Sequence, residues 1–481
     1  MLSTPYLQQA SAIDIGGTSR CRNFAFLGWI IVNCLGLNAL LHFIALWSMH
    51  RAWLPDWLFD SNLHALNRYV HLLQGHDSWR PMLSAMHFWQ AHPRSPLYQN
   101  VFFSQHIKFQ YPLTSLLPLV ALNKLGFSDL QIWALGRAVG WISVGLVALM
   151  CVAIARHSSS SARCRVPKLN IATIVAIFLG SLLFYPLLIG CVLGQIQTIL
   201  TLFYSVAFYC WLRGYERTGG VFIGLMILVK PQFSLLLLWA ALRKRWNALI
   251  AGLACVALIL PISLILFGWR NNWDYLSVLR ALSSVGESYY ANHSMNGLLN
   301  RLLFNGDQMF HPDSFPPFHP VVYAGTLLSS VFLVGLALVF TGQRKRLGGM
   351  ADFACAAAVA TMASPIVWEH HYGIFLPILV WLWFGRTSGL APIRSTAWLA
   401  VAYILIGDCL SPLNLLWHVP ILNIAQSYTY FGGLMIVWIL LSPRYAATSA
   451  DGTGLDAPHA DLIHARDSGR LKEPDALLSI S

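Results

Sequence analysis

Four polar residues, Trp368, Glu369, His370 and His371, interrupt an apolar stretch that covers residues 361–381. Ionisable side chains inside a bilayer are costly and mark functional sites by default. Histidine donates hydrogen bonds to phosphate oxygens, most strongly when it is protonated, so this group could bind a phosphate. Neighbouring histidines point about 100° apart on a helix, whereas zinc-binding helices use pairs four residues apart. No metal site is therefore predicted, and a structural histidine pair remains the alternative.

A carboxylate opens a second stretch, residues 59–75, whose pattern predicts an amphipathic helix in the membrane interface. Its polar face would carry Asp60, His64, Asn67 and His71. Gly75 is the predicted stop of this helix. Asp60 could serve as a general base for a hydroxyl, or it could cap the helix N-terminus. The two roles are compatible, and both stay open.

A lysine and a glutamine also stand between apolar segments. Lys230 lies inside the apolar stretch 225–237 and is followed by Pro231. A charge there costs at least about 2.5 kcal/mol on insertion scales, which favours a functional role, although a lysine at a helix end can reach the interface instead. Backbone groups freed beside Pro231 could line a cavity. Gln195, which follows Gly194, either stabilises a tight turn or contacts a polar substrate.

Two further groups offer polar contacts. Asn292 and Asn296 lie in a loop whose amides suit hydrogen bonds to a polyol, and Arg301 adds a cation nearby. An ordinary solvated loop is the alternative there. Tyr111 precedes Pro112, which is a favourable residue at the start of a short apolar helix.

The elements that position these residues are predicted to be membrane helices. The chain has 481 residues, of which 57% are hydrophobic and only 10% are charged, against roughly 25% charged in soluble domains. With many apolar runs near 20 residues, this indicates an all-α, polytopic membrane protein. The net charge of +12 comes mostly from short loops, so it is interpreted as a topology signal and not as a nucleic-acid-binding surface.

The basic loops predict about ten crossings with both termini in the cytoplasm. A polar N-terminus, residues 1–23, precedes an uncleaved first span at about 24–48. The transmembrane region extends over 24–442, with external loops at 49–111 and 268–319 and a disordered cytoplasmic tail at 443–481. The further predicted spans lie at about 133–155, 170–193, 195–212, 247–267, 321–342, 350–366, 373–385, 396–411 and 428–442, with a re-entrant or broken helix at 220–242.

This topology places the chemically interesting residues together. Asp60, Gln195, Asn292 and the group 368–371 all fall on the external face, although they are far apart in sequence. The nine cysteines show no CxxC pair and no zinc-ligand spacing, and most of them lie in apolar runs as small buried hydrophobes. A site at the external membrane surface is therefore expected.

The ordered set of motifs resembles glycosyltransferase family 87. The matching blocks are Asp60 followed by "LLQG", then "PLYQNVFF" (96–103), "KFQYPL" (108–113), "GQIQTIL" (194–200), "LVKPQ" (228–232), "NHSMNGLLNRL" (292–302) and "SPIVWEHH" (364–371). The resemblance covers about residues 24–442. Two departures stand out: the usual double proline after tyrosine is Pro112-Leu113, and residues 76–95 look like an insertion that could alter the choice of acceptor.

The resemblance implies a GT-C fold with about ten transmembrane helices, in the cell (inner) membrane, with its cavity on the external, periplasmic face. It implies a polyprenyl-phosphate sugar donor, typically of mannose, and a glycan or glycolipid acceptor, and no cofactor. Asp60 would take the proton from the acceptor hydroxyl, with Asp56 as a rival base. The departing phosphate would be bound by His370, His371, Lys230 and Arg301. The substrate contacts would come from Gln195, Asn292, Asn296, Tyr111 and Glu369.

Two other classes of function are weighed against this one. A transporter or flippase of a lipid-linked substrate would show paired broken helices at the bilayer midplane. The sequence has one broken helix with no counterpart, and the expected site is at the surface. A non-catalytic membrane scaffold is disfavoured by the ionisable residues in apolar surroundings.

Overall fold

The structure is a computed structural model, and it describes residues 25–51, 59–73, 75–160, 169–311, 314–339, 348–385 and 393–442. Throughout this part of the chain the regular structure is helical, and the β-structure is an isolated antiparallel bridge between Asn292 and Trp368. The predicted all-α class is confirmed. The predictions for residues 1–23, for Asp56 and for the tail 443–481 lie outside the described residues.

Among the residues that the structure describes, five helices are long and apolar enough to cross a membrane. They are α1 (Ala25–His50), α5 (Asp129–Ser160), α11 (Trp246–Phe267), α14 (Pro320–Leu338) and the helical segment Leu422–Leu441, whose regular part is α18 (Tyr428–Leu441). A helix needs about 20 apolar residues to span the hydrocarbon core. The predicted polytopic membrane architecture is therefore confirmed.

The remaining apolar helices are shorter. They are α4 (Leu113–Lys124), α6 (Ile171–Leu182), α7 (Tyr185–Val192), α8 (Gln197–Leu212), α9 (Glu216–Ile227), α10 (Pro231–Leu242), α15 (Met350–Met362), α16 (Phe375–Phe384) and α17 (Ile393–Gly407). The predicted span 170–193 is a bent pair, α6 and α7, with an angle of 49° between its halves. Phe184 is extended there and Pro186 follows at the start of α7, and proline favours such a start and lacks the N–H that would continue α6. The break at Lys230 between α9 and α10 lies where the sequence predicts it.

The two predicted external regions contain four further helices: α2 (Asn62–Val70), α3 (Trp79–Ala91), α12 (Trp269–Val285) and α13 (Met295–Leu302). The segment predicted to be an insertion, 76–95, forms α3. Its Met82 and Met86 are fully buried in an apolar cluster with Tyr98 and Phe109. This segment is thus an integral part of the fold.

The largest core surrounds α15 and α16. Every residue from Phe353 to Met362 is buried, and half of them are alanine, which lets neighbouring helices approach closely. The short 3₁₀ helix Glu369–Ile374 leads from this core into α16. The chemically interesting group 368–371 therefore stands on a rigid, fully packed base.

Helix α2 is shorter than predicted. It begins after Ser61, whose hydroxyl accepts a hydrogen bond from the His64 amide at 3.1 Å, and it ends at Val70 and not at Gly75. Gly75 instead donates its N–H to the Val192 carbonyl at 2.7 Å. Gly194, at φ +74°, lies so close that a Cβ would be 2.3 Å from the Gly75 oxygen. A tertiary contact, and not a helix stop, explains this glycine.

Candidate active site

Asp60 lies just before α2, next to Ser61, whose backbone is extended. Neighbouring elements hold this pair of residues by hydrogen bonds. Its amide donates to the Ser411 hydroxyl at 3.1 Å, and that hydroxyl donates back to the Asp60 carbonyl at 2.6 Å. Of the carboxylate oxygens, Oδ1 accepts from the Ser61 amide at 2.8 Å and Oδ2 accepts from the Tyr185 hydroxyl at 3.1 Å. Since Ser61 provides the helix cap, the capping alternative for Asp60 is not what the structure shows. The carboxylate keeps lone pairs for a substrate proton.

Two cationic or ionisable side chains of α2 also approach this carboxylate. His64 Nδ1 is 3.2 Å from Oδ1, and Arg68 Nη1 is 3.6 Å from Oδ2. The spacing of four residues between Asp60 and His64 is the one that the sequence pattern indicated. The Asp60 side chain is 13% exposed, so it is shielded on most sides but remains accessible.

Asp60 opens into a cavity of about 270 Å³. The other residues of its wall come from the loops around α7, α13, α17 and α18, and most of them are polar: Tyr185, Tyr290, His293, Glu369, Cys409, Ser411, Asn414, Gln426 and Tyr428. The hydroxyl, amide and carboxyl groups of this wall suit hydrogen bonds to a polyol.

Glu369 faces Asp60 across this cavity, and its Oε1 is 3.4 Å from Nε2 of the fully buried His293. Glu369 stands in the 3₁₀ turn before α16, outside the membrane-spanning segments. Burial, and secondly the negative charge of Asp60, raise the pKa of Glu369 to about 8. At neutral pH one of the two facing carboxyl groups is therefore protonated, and it can donate a hydrogen bond.

We expect Glu369→Gln to retain transfer at pH 7, with a change of no more than about tenfold, because one neutral hydrogen bond contributes only about 0.5–1.5 kcal/mol. In the unsubstituted protein, activity falls as the pH rises through about 8, where Glu369 ionises beside Asp60, and stability falls between about pH 4.5 and about pH 8, because the unfolded chain releases this proton first. The glutamine variant should lack this alkaline decline. Initial rates and melting temperatures across pH 6–10 test this.

Glu216→Gln is the matched control. Glu216 pairs with Arg245 at 3.1 Å and is not part of the cavity wall. That variant should keep the alkaline decline unchanged. If Glu369→Gln is inactive at pH 7, or declines above pH 8 as the unsubstituted protein does, a neutral Glu369 is not part of the site.

A second cluster lies on the other side of the same turn. Lys230 Nζ is 2.6 Å from His371 Nε2 and donates to Gln197 Oε1 at 2.9 Å. The Trp368 amide donates to His371 Nδ1 at 3.1 Å, so a neutral imidazole carries its proton on Nε2. Lys230 then faces this N–H as a neutral amine. An anion bound here would favour protonation of the Lys230–His371 pair.

His370 makes no hydrogen bond to another described residue. Its ring is 4% exposed and lies 4.6 Å from the His371 ring. Gly190 of α7 packs directly against it, because a Cβ at Gly190 would be 3.1 Å from the His370 Cβ. The two histidines therefore differ: His371 is oriented by hydrogen bonds, whereas His370 is buried between the turn and α7.

Three residues predicted to contact donor or substrate have other partners in the structure. Arg301 is fully buried, and its guanidinium donates to the carbonyls of Tyr289 and Asn292 at 3.1 and 3.0 Å and to the Ser427 hydroxyl at 2.6 Å. These hydrogen bonds hold the loop that precedes α13 and Ser427, and the phosphate-binding role of Arg301 stays a prediction. The residues around Arg301 in the sequence do not indicate that its side chain is fully buried.

Asn292 and Asn296 are also fully buried and do not line the cavity around Asp60, and their contact with substrate stays a prediction. Asn292 accepts from the Val367 amide at 2.9 Å, and Asn296 accepts from the Glu287 amide at 3.0 Å. The Asn292 amide fastens the loop before α13 to the segment that carries Glu369, whereas the Asn296 amide holds the start of that loop and Thr326 of α14. They position the site from outside the cavity.

Gln195 and Tyr111 converge on one hydroxyl. Ser78 Oγ donates to Gln195 Oε1 at 2.9 Å and lies 2.9 Å from the Tyr111 hydroxyl. Gln195 Nε2 is also 3.3 Å from Asp77 Oδ2. This favours the turn-stabilising interpretation of Gln195, since the three residues join α3 to the turn before α8. Neither Gln195 nor Tyr111 lines the cavity around Asp60.

Sequence reasoning missed a buried polar network behind Asp60. Asp408 is 1% exposed, and its carboxylate accepts from Asn33 at 2.7 Å, Asn38 at 3.2 Å and Asn62 at 3.3 Å. Asn62 also accepts from the Cys409 amide at 2.8 Å. The sequence signal for this network is the presence of Asp408, Asn33 and Asn38 inside apolar runs. The network ties α1 and α17 to the residue pair that carries Asp60.

A second missed group is an ion pair near the turn. Lys108 Nζ is 2.6 Å from Oε1 of the buried Glu287, whose other oxygen accepts from the Trp368 indole N–H. The bridge between Asn292 and Trp368 continues this connection. Three segments distant in sequence therefore fix the orientation of the turn that presents Glu369 and His371.

Comparison with known proteins gives three relatives of known name. Over 206 residues the chain is 27% identical to a polyprenol-phosphate-mannose-dependent alpha-(1-2)-phosphatidylinositol mannoside mannosyltransferase of Mycobacterium tuberculosis, with 41% of this chain and 44% of the relative covered. Over 192 residues it is 24% identical to a polyprenol-phosphate-mannose-dependent alpha-(1-2)-phosphatidylinositol pentamannoside mannosyltransferase of Mycolicibacterium smegmatis, covering 39% and 43%. An alpha-(1->3)-arabinofuranosyltransferase of Corynebacterium glutamicum is 30% identical over 108 residues, covering 22% and 25%.

The matched stretch of the chain spans less than half the length of each of these relatives. The family comparison covers more, because residues 109–365, over half of the chain, match the model of glycosyltransferase family 87. That range includes Lys230, Gln197 and the loop of Asn292, and it ends just before Trp368 and His371. The chain therefore belongs to glycosyltransferase family 87.

Proposed function

We propose that this protein transfers a sugar, mannose, from a polyprenyl-phosphate donor to a hydroxyl group of a cell-envelope glycan or glycolipid. The observation that carries the proposal is the placement of two clusters on one turn. The carboxylate cavity of Asp60 and Glu369 lies on one side of residues 368–371, and the Lys230–His371 pair lies on the other. A base for an attacking hydroxyl thus stands near groups that suit a departing phosphate.

The chemistry follows from this arrangement. The acceptor sugar enters the cavity, where hydroxyl and amide groups bind it, and Asp60 takes the proton from its attacking hydroxyl. The hydroxyl oxygen forms a bond to the anomeric carbon while the bond from that carbon to the phosphate oxygen breaks, with inversion. Polyprenyl phosphate departs with the electron pair. Lys230 and His371 stabilise its developing negative charge, and His370 is a further group on the same turn.

The relatives support mannose as the sugar, because two of them are named as polyprenol-phosphate-mannose-dependent mannosyltransferases. The arabinofuranosyltransferase relative makes a pentose the natural comparison. The proposed location is the cell (inner) membrane, with a GT-C fold, the site on the external face and both termini in the cytoplasm. The distribution of basic loops in the sequence supports this orientation.

Purified full-length protein in lipid vesicles, supplied with polyprenyl-phosphate mannose and a mannoside lipid acceptor, tests the proposal. We expect donor consumption, an acceptor heavier by one hexose, and an inverted anomeric configuration by NMR. Polyprenyl-phosphate arabinose should react more slowly. If the donor crosses the vesicle bilayer without being consumed, the protein is a transporter of lipid-linked sugar and the proposal is wrong.

A further inference from the structure

Arg137 lies inside the spanning helix α5 and has no part in the proposed reaction. It stands eight residues, about 12 Å, after the start of a helix that is about 48 Å long. Since the hydrocarbon core is about 30 Å thick, a helix centred in the bilayer places Arg137 close to one boundary of that core. An arginine inside the hydrocarbon core is costly unless it is paired or reaches water. Its presence near the boundary therefore needs a compensating interaction.

Aromatic rings surround the guanidinium group. Its Cζ lies 4.9 Å from the Trp133 ring centre and 5.1 Å from the Trp141 ring centre. In the part of the chain that the structure describes, no hydrogen bond or ion pair reaches this group. The ring faces attract the cation but leave its five N–H donors without an oxygen acceptor. The indole N–H groups of Trp133 and Trp141 are also buried without a partner.

The segment that follows α2 runs beside these three residues. The Tyr69 hydroxyl donates to the Trp141 carbonyl at 3.4 Å, and the His76 ring lies 4.3 Å from the Trp133 ring. Between them, Leu72 and Leu73 are 52% and 55% exposed. An unpaired cation thus stands at the edge of an exposed apolar surface, at the end of the molecule that carries α2 and Asp60.

We propose that Trp133, Arg137 and Trp141 form a binding site for the phosphodiester of a membrane phospholipid. The guanidinium would donate to the phosphate oxygens, for which its planar fork is well matched. The acyl chains would lie against the exposed Leu72 and Leu73, beside the face of α5 that carries Arg137. The bound lipid would join α5 to the segment between α2 and α3. A free phosphate ion lacks the chains that such a surface accommodates.

Native mass spectrometry of the full-length protein, delipidated in detergent and mixed with phosphatidylglycerol or diacylglycerol, tests this site. We expect one tightly retained phosphatidylglycerol and no retained diacylglycerol. Arg137→Gln should weaken retention by about tenfold or more, since a hydrogen bond to a charged group contributes about 1.5–3 kcal/mol. Arg270→Gln is the matched control, because Arg270 is an exposed arginine near the start of α12.

The proposal is overturned if Arg137→Gln retains phosphatidylglycerol as the unsubstituted protein does, or if diacylglycerol is retained equally well. Displacement of the lipid by excess inorganic phosphate would instead identify a site for a small anion. Arg137→Lys keeps the charge and should retain part of the binding. The comparison of the two lipids on the unsubstituted protein stands even if the glutamine variant does not fold.

Discussion

Replacing Asp60 by Asn should lower the rate of sugar transfer by about 10²- to 10⁴-fold, the usual contribution of a general base. Asparagine has nearly the same shape: its Oδ1 can still accept from the Ser61 amide, and its Nδ2 can donate to the oxygen of the Tyr185 hydroxyl. It cannot take a proton from the acceptor. The fold and the binding of the donor should therefore persist while the chemical step is lost. Initial rates in vesicles, together with the inhibition constant of polyprenyl phosphate, separate these two effects.

Two control variants sharpen this test. Asp129→Asn removes a half-exposed carboxylate that pairs with His87 at 2.8 Å, and it should leave the rate unchanged. Asp56→Asn examines the rival base named from the sequence. Normal transfer by the Asp60 variant would rule out Asp60 as the base, and loss of activity in the Asp56 variant alone would assign that role to Asp56.

Hydropathy is sufficient to predict the class of fold and most of the helices. The α1, α11 and α14 spans lie where the apolar runs lie, because an apolar helix has no comparable alternative in a bilayer. The end of α2 was predicted wrongly because Gly75 is used in a contact with Val192, which is 117 residues distant in sequence. The bend between α6 and α7 depends on Phe184 and Pro186, whose effect inside a continuous apolar run depends on the surrounding packing.

The sequence predicted the carboxylates of the candidate site better than its cationic side chains. Asp60 and Glu369 both line the cavity, and each is a charged residue in apolar surroundings, which sequence reveals directly. Arg301 is also a charged residue, yet its guanidinium donates to backbone carbonyls and to the Ser427 hydroxyl. A sequence shows that a charge is costly, but the partner that compensates it is a property of the tertiary structure. Asp408 illustrates the same limit, since its asparagine partners come from α1 and α2.

Under the proposed mechanism, the Asp60 cavity and the Lys230–His371 pair have different roles that can be measured separately. Asp60 acts on the acceptor, so its loss should leave donor affinity intact. Lys230 and His371 act on the phosphate, so their loss should affect both donor affinity and rate. A mechanism in which one residue performs both duties would not show this separation. The most informative comparison is therefore between Asp60 and Lys230 variants in the same assay.

Replacing Lys230 by Met should lower kcat/KM for the donor by about 10²- to 10³-fold, the usual effect of removing one donor to a developing oxyanion. Methionine keeps most of the length of the side chain but cannot donate a hydrogen bond. Lys230 otherwise donates to Gln197 and faces His371 Nε2 at 2.6 Å. The inhibition constant of polyprenyl phosphate should also rise in this variant, which it should not do in Asp60→Asn.

Lys124→Met is the matched control, because Lys124 is exposed at the end of α4, and its kinetics should equal those of the unsubstituted protein. His371→Gln should share the Lys230 phenotype, and the double variant should lose less than the product of the two single effects, since the side chains are in direct contact. Unchanged donor kinetics and unchanged polyprenyl phosphate inhibition in Lys230→Met would assign Lys230 a packing role and move the phosphate away from this pair.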